Sequence, residues 1–180
     1  MKAEGKRDAV YTIGHSTRTL EELIGLLKMN SIEMLVDIRT IPRSKTNPQF
    51  NLESLPNELR KRGIGYVHMK GLGGLRRPRS DSKNTAWRNL SFRGYADYMQ
   101  TEEFAKNLAE LEQMIEDGKN HLRIALMCAE AVPWRCHRFL VSDALLVRGY
   151  EVLHIIAKGS PKQHTLSKMA KVVEGKITYP

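Results

Sequence analysis

The chain has 180 residues, with 29 Lys and Arg against 20 Asp and Glu, a formal net charge of +9 and a pI of about 9.7. That length fits one domain, and 41% hydrophobic with 27% charged residues is enough apolar material for a core and too much for a disordered chain. No apolar run approaches the roughly 18 residues of a membrane span, and the start lacks the apolar segment and cleavage site of a secretion signal. The expectation is a cytoplasmic protein with no membrane partner.

Taken in chain order, Ala9–Ile13 is a short β-rich run that stops in the turn Gly14-His15-Ser16-Thr17. Leu20, Leu23, Ile24, Leu26 and Leu27 then recur at helical spacing, with Glu21 and Glu22 near the positive end of the dipole. Met34–Ile38 is a second apolar run too short for a helix, followed by Pro42. Pro56–Arg62 reads as a short helix ended by Gly63, and Ile64–Met69 as a third strand entering Gly71–Gly74. The stretch Gly71–Gly94 has no sustained period and reads as a long basic loop, with helix resuming over Tyr95–Gln100. Glu102–Glu116 is amphipathic, with Phe104, Leu108, Leu111, Met114 and Ile115 inward and a stop at Gly118. Leu122–Met127 reads as the fourth strand, His137–Val147 as a helix, Val152–Ile156 as the fifth strand and Ile177–Pro180 as an extended edge piece. Strand, loop and helix in repeated alternation predict one α/β domain over residues 1–180. Its expected form is a largely parallel five-stranded sheet flanked by helices, a Rossmann-like or flavodoxin-like three-layer arrangement carrying the basic loop 71–94.

The charge is unevenly placed. Residues 1–45 carry 8 basic and 6 acidic groups, 46–100 carry 10 and 4, and 101–180 carry 11 and 10, so the net charges are +2, +6 and +1. Between Arg60 and Arg93, ten basic residues, seven of them arginines, face the single acid Asp81. Guanidinium groups bind phosphate and carboxylate through a planar fork, so the block suits an anionic small molecule or a nucleic-acid backbone. A solubilising surface is the plainer reading of the same residues.

Chemically capable residues follow the predicted strands: His15 and Ser16 after the first, Asp37 and Arg39 at the end of the second, Cys128 and Glu130 at the end of the fourth. In an open parallel sheet those carboxyl ends form the crevice where ligands bind. Gly73 and Gly74 would let backbone approach a ligand closely. The densest pattern is Cys128-Ala-Glu-Ala-Val-Pro-Trp-Arg-Cys136-His137-Arg138, between a strand and a helix. A thiol at a helix start beside Arg135, His137 and Arg138 is placed for a lowered pKa.

The expected roles are Cys128 as nucleophile, with Glu130, His15 and His137 as acid–base groups. Ser16, Arg39, Arg135, Arg138, Gly73 and Gly74 would hold an anionic substrate, the signature of a Cys-dependent hydrolase or transferase. Other readings stay open. The cysteines, eight residues apart, suit small buried hydrophobes or a local disulfide, although so few cysteines point to a reducing compartment. Cys128, Cys136 and His137 are donors that zinc accepts, but their spacing is not an established zinc pattern, and no other cofactor is expected. Asp37 has Arg39 as a candidate partner, and Glu130 has Arg135 or Arg138. The alternative function is a nucleic-acid-binding module on the Arg60–Arg93 surface, with the cysteines structural. The sequence leaves the oligomeric state open.

Thr12-Ile-Gly-His15-Ser-Thr17, Asp37-Ile-Arg39 with Pro42 and Ser44, Tyr66 before Leu72-Gly-Gly74, Cys128-x-Glu130…Cys136-His137-Arg138, Val152-x-His154-Ile155 and Thr178-Tyr-Pro180 occur together. As a set they resemble the domain-of-unknown-function family 488. The resemblance implies a cytoplasmic α/β domain with its polar signature gathered at one site, and leaves the reaction open.

Overall fold

The computed structural model describes residues 9–117 and 121–180. Five strands, β1 (Ala9–Gly14), β2 (Met34–Asp37), β3 (Gly65–His68), β4 (Ile124–Cys128) and β5 (Glu151–Ile155), run parallel in the order β3-β2-β4-β1-β5. The sequence missed β6 (Lys162–Gln163), which pairs antiparallel with β5 and makes the sheet six-stranded. The helices are α1 (Leu20–Met29), α2 (Leu55–Arg60), α3 (Leu90–Tyr98), α4 (Glu102–Glu116) and α5 (Arg138–Val147). The stop expected at Gly118 lies outside the described residues. Among the described residues no helix is long and apolar enough to cross a membrane.

Parallel strands covered on both faces need apolar residues throughout, and β4 is buried along its whole length. Side chains two apart share a face. Val10, Val36, Ile124, Leu126 and Val152 therefore join one core with Phe104, Leu108 and Leu111 of α4 and Leu140 and Val141 of α5. Tyr11, Ile13, Leu35, Ala125, Met127 and Ile155 join the other with Leu23 and Leu27 of α1 and Leu55 and Leu59 of α2. Thr19 and Glu22 close a reciprocal capping box at the start of α1. The result is the expected three-layer α/β arrangement. From adjacent β1 and β4 the chain departs to helices on opposite faces, which opens a crevice at their carboxyl ends.

Two expectations need correction. The long loop is shorter and better held than its sequence suggests. A 3-10 turn occupies Lys70–Leu72, and α3 begins at Leu90, capped by the Asn89 side chain accepting from Ser91 N and Phe92 N. Between them, buried Asp97 accepts from Arg79 N at 2.8 Å, Ser82 Oγ at 2.6 Å and Asn84 Nδ2 at 2.6 Å. The C-terminal segment is likewise no edge strand of the main sheet. β7 (Lys171–Val173) and β8 (Lys176–Thr178) form a separate hairpin, turning through Glu174 and Gly175, both at positive φ. Tyr179 beyond it is buried, its backbone bonded to Asn84 Oδ1 and Ala86 N.

Candidate functional site

The carboxyl ends of β1, β2 and β4 open into a cleft of about 820 Å³. Among the described residues its walls include His15, Ser16, Arg39, Gly74, Cys128, Glu130, Arg135, Cys136 and His137. Of the ten expected site residues other than Cys136, eight line it; Gly73 and Arg138 are buried and do not. Gly73 is buried against Thr40, and Gly74 passes so close to His137 that a Cβ there would stand 2.9 Å from Nδ1.

The loops after β1 and β4 are zipped together by His15 N donating to Cys128 O at 3.0 Å and Ser16 N to Ala129 O at 2.8 Å. Arg18 caps the neighbouring carbonyls of Gly14 and Ile156. Arg39 is held mainly by the protein itself. Its Nε and one terminal nitrogen donate to Asp37 at 2.9 and 2.7 Å, and the same terminal nitrogen reaches Phe50 O at 2.7 Å. The other terminal nitrogen is 3.3 Å from His15 Nε2. Tyr66 OH adds a 2.5 Å bond to Asp37; burial of the phenol, with the Asp37 charge beside it, raises the Tyr66 pKa. A carbonyl only accepts, so the 2.8 Å contact to Ser16 O assigns the proton to His15 Nδ1. Nε2 then accepts from Arg39. Burial lowers the His15 pKa, the Arg39 charge adds to the effect, and the ring stacks on Phe50 at 4.6 Å. Arg39 and Asp37 thus fix a neutral histidine in one orientation.

Across the cleft, Cys128 and Cys136 are joined as a disulfide, the arrangement left open by the sequence. The two sulfurs have different settings. Cys128 ends a buried strand and is 1% exposed; Cys136 is 5% exposed, with its Sγ accepting from Arg138 N at 3.4 Å in the first turn of α5. That amide and the helix dipole favour negative charge on sulfur, so once reduced Cys136 is the better thiolate. His137 Nε2 donates to Ile38 O at 2.9 Å, leaving Nδ1 as an acceptor 3.5 Å from Cys136 Sγ. Among the described residues no group of three or more His, Cys, Asp or Glu is placed to hold a metal ion.

Arg138 is fully buried at the start of α5, and its Nε and one terminal nitrogen have no hydrogen-bond partner. The third nitrogen is 3.4 Å from Ala131 O. Burial pushes its pKa down to about 9, the Arg18 charge adds to this, and Glu130 opposes it. Beside the loop after β4, Arg138 thus brings two unsatisfied donors and a buried positive charge that Glu130 only partly offsets.

Much of the Arg60–Arg93 block is occupied elsewhere. Arg62 pairs with Glu21, Lys61 with Glu58 and Arg79 with Asp81. Arg76 lies 3.6 Å over the Tyr98 ring, and Arg93 donates to Trp87 O. Trp87 packs on Phe92 and Tyr179 at 5.1 and 5.5 Å, whereas Trp134 is exposed beside the cleft, with Lys162 over its ring.

Sequence reasoning missed a second polar cluster. Thr12 Oγ1 is 2.6 Å from His154 Nδ1, His154 Nε2 is 2.9 Å from His164 Nδ1, and His164 Nε2 is 2.8 Å from Asp143. Tyr179 OH donates to the other Asp143 oxygen at 2.8 Å. Because Asp143 only accepts, His164 Nε2 carries the proton of that contact. All five residues are buried, and the chain ties β1, β5, α5 and the C-terminal tail together.

Burial lowers the pKa of His137 to about 4 and, with His164 nearby, that of His154 to about 3, from 6.5. Below pH 6.5 the unfolded chain therefore binds protons that the folded chain refuses. Stability is full above that value and falls with pH until the folded pKa values are reached. Unfolding free energies from urea titrations at pH 7 and pH 5 are expected to differ by about 2 kcal/mol for each ring, the acid condition being weaker. Equal stabilities would show that the rings are not held neutral.

The sheet, its helical layers and a cleft at the carboxyl ends of the central strands define a Rossmann-like α/β domain with its polar residues at the switch point. The chain belongs to the DUF488 family, a domain of unknown function whose model matches residues 19–145. The match includes the Asp37–Arg39 and Cys128–Arg138 segments; His15, His154 and Tyr179 lie outside it. No curated protein and no solved structure matches the chain.

Proposed function

We propose that the protein is an enzyme that binds a small anionic substrate in this cleft, with Cys136 as the nucleophile. The observation that carries the reading is the buried Arg138 guanidinium, two of whose nitrogens have no partner, beside the loop after β4 that lines the cleft. Arg135, exposed on the rim, adds charge that requires no folding partner. Cys128, the nucleophile suggested by the sequence, is the more deeply placed sulfur, and α5 activates the other. His137 is neutral and accepts, Arg39 positions His15, and Glu130 is exposed at the mouth as an acid–base group. Phosphate and carboxylate esters are the substrate chemistries this supports. The nucleic-acid alternative has weaker support, because half of its ten candidate residues are engaged within the chain.

Calorimetric titration of inorganic phosphate and a nucleoside monophosphate into the reduced protein tests the reading. Arg135→Ala, at an exposed position, is expected to weaken binding about 5- to 30-fold without changing Tm, the loss of one charge-assisted contact of about 1 to 2 kcal/mol. Binding unchanged by this substitution, or no binding at all, would contradict the proposal.

A further inference from the structure

Two sulfurs joined to each other in the wall of a cleft are a two-electron redox couple as well as a packing contact. Both Cys128 and Cys136 line the cleft, so the bond between them faces the space that the substrate would occupy. In a reducing compartment a protein disulfide is more often catalytic or sensing than structural. Two differences rank the sulfurs. Cys136, 5% exposed against 1% for Cys128, accepts the Arg138 amide at the start of a ten-residue helix, while Cys128 ends the buried strand β4. Arg135 at the rim and buried Arg138, two of whose nitrogens lack a partner, bring positive charge to this end of the sheet against the single Glu130 carboxylate at the mouth.

We propose that Cys136 and Cys128 form a dithiol–disulfide couple, with Cys136 attacking and Cys128 resolving, that reduces a small anionic disulfide bound in the cleft. This inference rests on the anion-binding reading above and takes the bound anion to be a disulfide in place of an ester. In the reduced protein the Cys136 thiolate attacks one sulfur of a substrate R–S–S–R. The substrate S–S bond breaks, a Cys136–S–S–R bond forms, and R–S⁻ leaves and takes up the proton that Cys136 released. Cys128 then gives up its proton and attacks Cys136 Sγ, closing the observed disulfide and expelling the second R–S⁻, which takes up that proton. The substrate gains two electrons and two protons and leaves as two thiols. Two equivalents of a low-molecular-weight thiol return the protein to the dithiol state by the reverse exchange.

The test uses the full chain, reduced and freed of reductant, mixed with either glutathione disulfide, which bears carboxylates, or the uncharged 2-hydroxyethyl disulfide, with mass spectrometry of quenched samples. Wild type is expected to convert to the intramolecular disulfide, and Cys128→Ser to accumulate a glutathionyl adduct on Cys136. Glutathione disulfide should react about tenfold faster than the neutral reagent, a preference that fades as salt screens the field. Limiting iodoacetamide on reduced wild type, followed by peptide mapping, ranks the thiols without any substitution. Cys136 should be alkylated about tenfold faster than Cys128. Faster reaction at Cys128, or equal rates with the two disulfides, overturns the proposal. If phosphate binds but neither thiol outpaces that of the urea-unfolded chain, the redox inference falls and the anion site stands. If phosphate also fails to bind, both fall.

Discussion

Gly14→Ala is expected to cost more than almost any other single methyl group added to this protein. Gly14 ends β1 opposite Cys128, where a Cβ would stand 1.6 Å from the Glu130 carbonyl oxygen, 2.5 Å from its carbon and 3.0 Å from Arg138. The obstacle is backbone, so no side-chain rotation relieves it. The loop carrying Ala129, Glu130 and Ala131 must move away from β1, breaking the His15 N to Cys128 O and Ser16 N to Ala129 O bonds that zip the cleft floor. Overpacking typically costs about 1–3 kcal/mol, and a rigid backbone contact places this change at about 3 kcal/mol or above, with loss of anion binding. Gly25 is the control. It lies within α1, and a Cβ added there would meet nothing within 4 Å, so Gly25→Ala should stabilise by about 0.5–1 kcal/mol. Thermal melts of the two variants should move in opposite directions; a Gly14→Ala protein as stable as wild type would contradict the geometry.

Asp37→Asn is expected to be comparably severe. The buried carboxylate accepts from Arg39 backbone N at 3.1 Å, from Arg39 Nε and a terminal nitrogen at 2.9 and 2.7 Å, and from Tyr66 OH at 2.5 Å. An amide keeps the shape but supplies one acceptor oxygen in place of two and turns an NH2 toward other donors. Arg39 is then a buried cation without its counter-charge, a loss of about 3–5 kcal/mol. The effect extends to the cleft, because Arg39 is what holds His15 Nε2. The exposed Arg79–Asp81 pair provides the comparison: Asp81→Asn should leave Tm unmoved. A mild Asp37→Asn phenotype would show that Arg39 finds compensation elsewhere.

The five parallel strands were legible because each is a short apolar run bounded by turn residues, and α1 and α4 because their apolar residues recur at helical spacing. Gly94 misled the reading of α3. In the sequence it looks like a helix breaker, but a Cβ there would stand 2.2 Å from Arg76 O, so glycine permits a close chain crossing inside a helix. The Asn89 cap was the available signal for the true start. β6 has only two residues and no period to detect.

At the site, the grouping of residues was legible and their division of labour was not. Asp37 and Arg39, two apart at a strand end, carried the signal for the ion pair the structure shows. Which sulfur meets the helix amide depends on the path of the loop between Cys128 and Cys136, which residue type alone does not specify. The Thr12–His154–His164–Asp143–Tyr179 chain joins residues separated by 142, 10, 21 and 36 positions, so no local pattern announces it.

Residue-resolved amide NMR during titration of inorganic phosphate into the reduced protein separates binding in the cleft from binding on the basic surface. Binding in the cleft predicts saturable shifts concentrated at Gly14–Thr17 and Ala129–Arg138, the two strand-end loops and the start of α5 that border it. Shifts confined to the exposed basic residues Arg77, Lys83 and Arg88, or none that saturate, would contradict it.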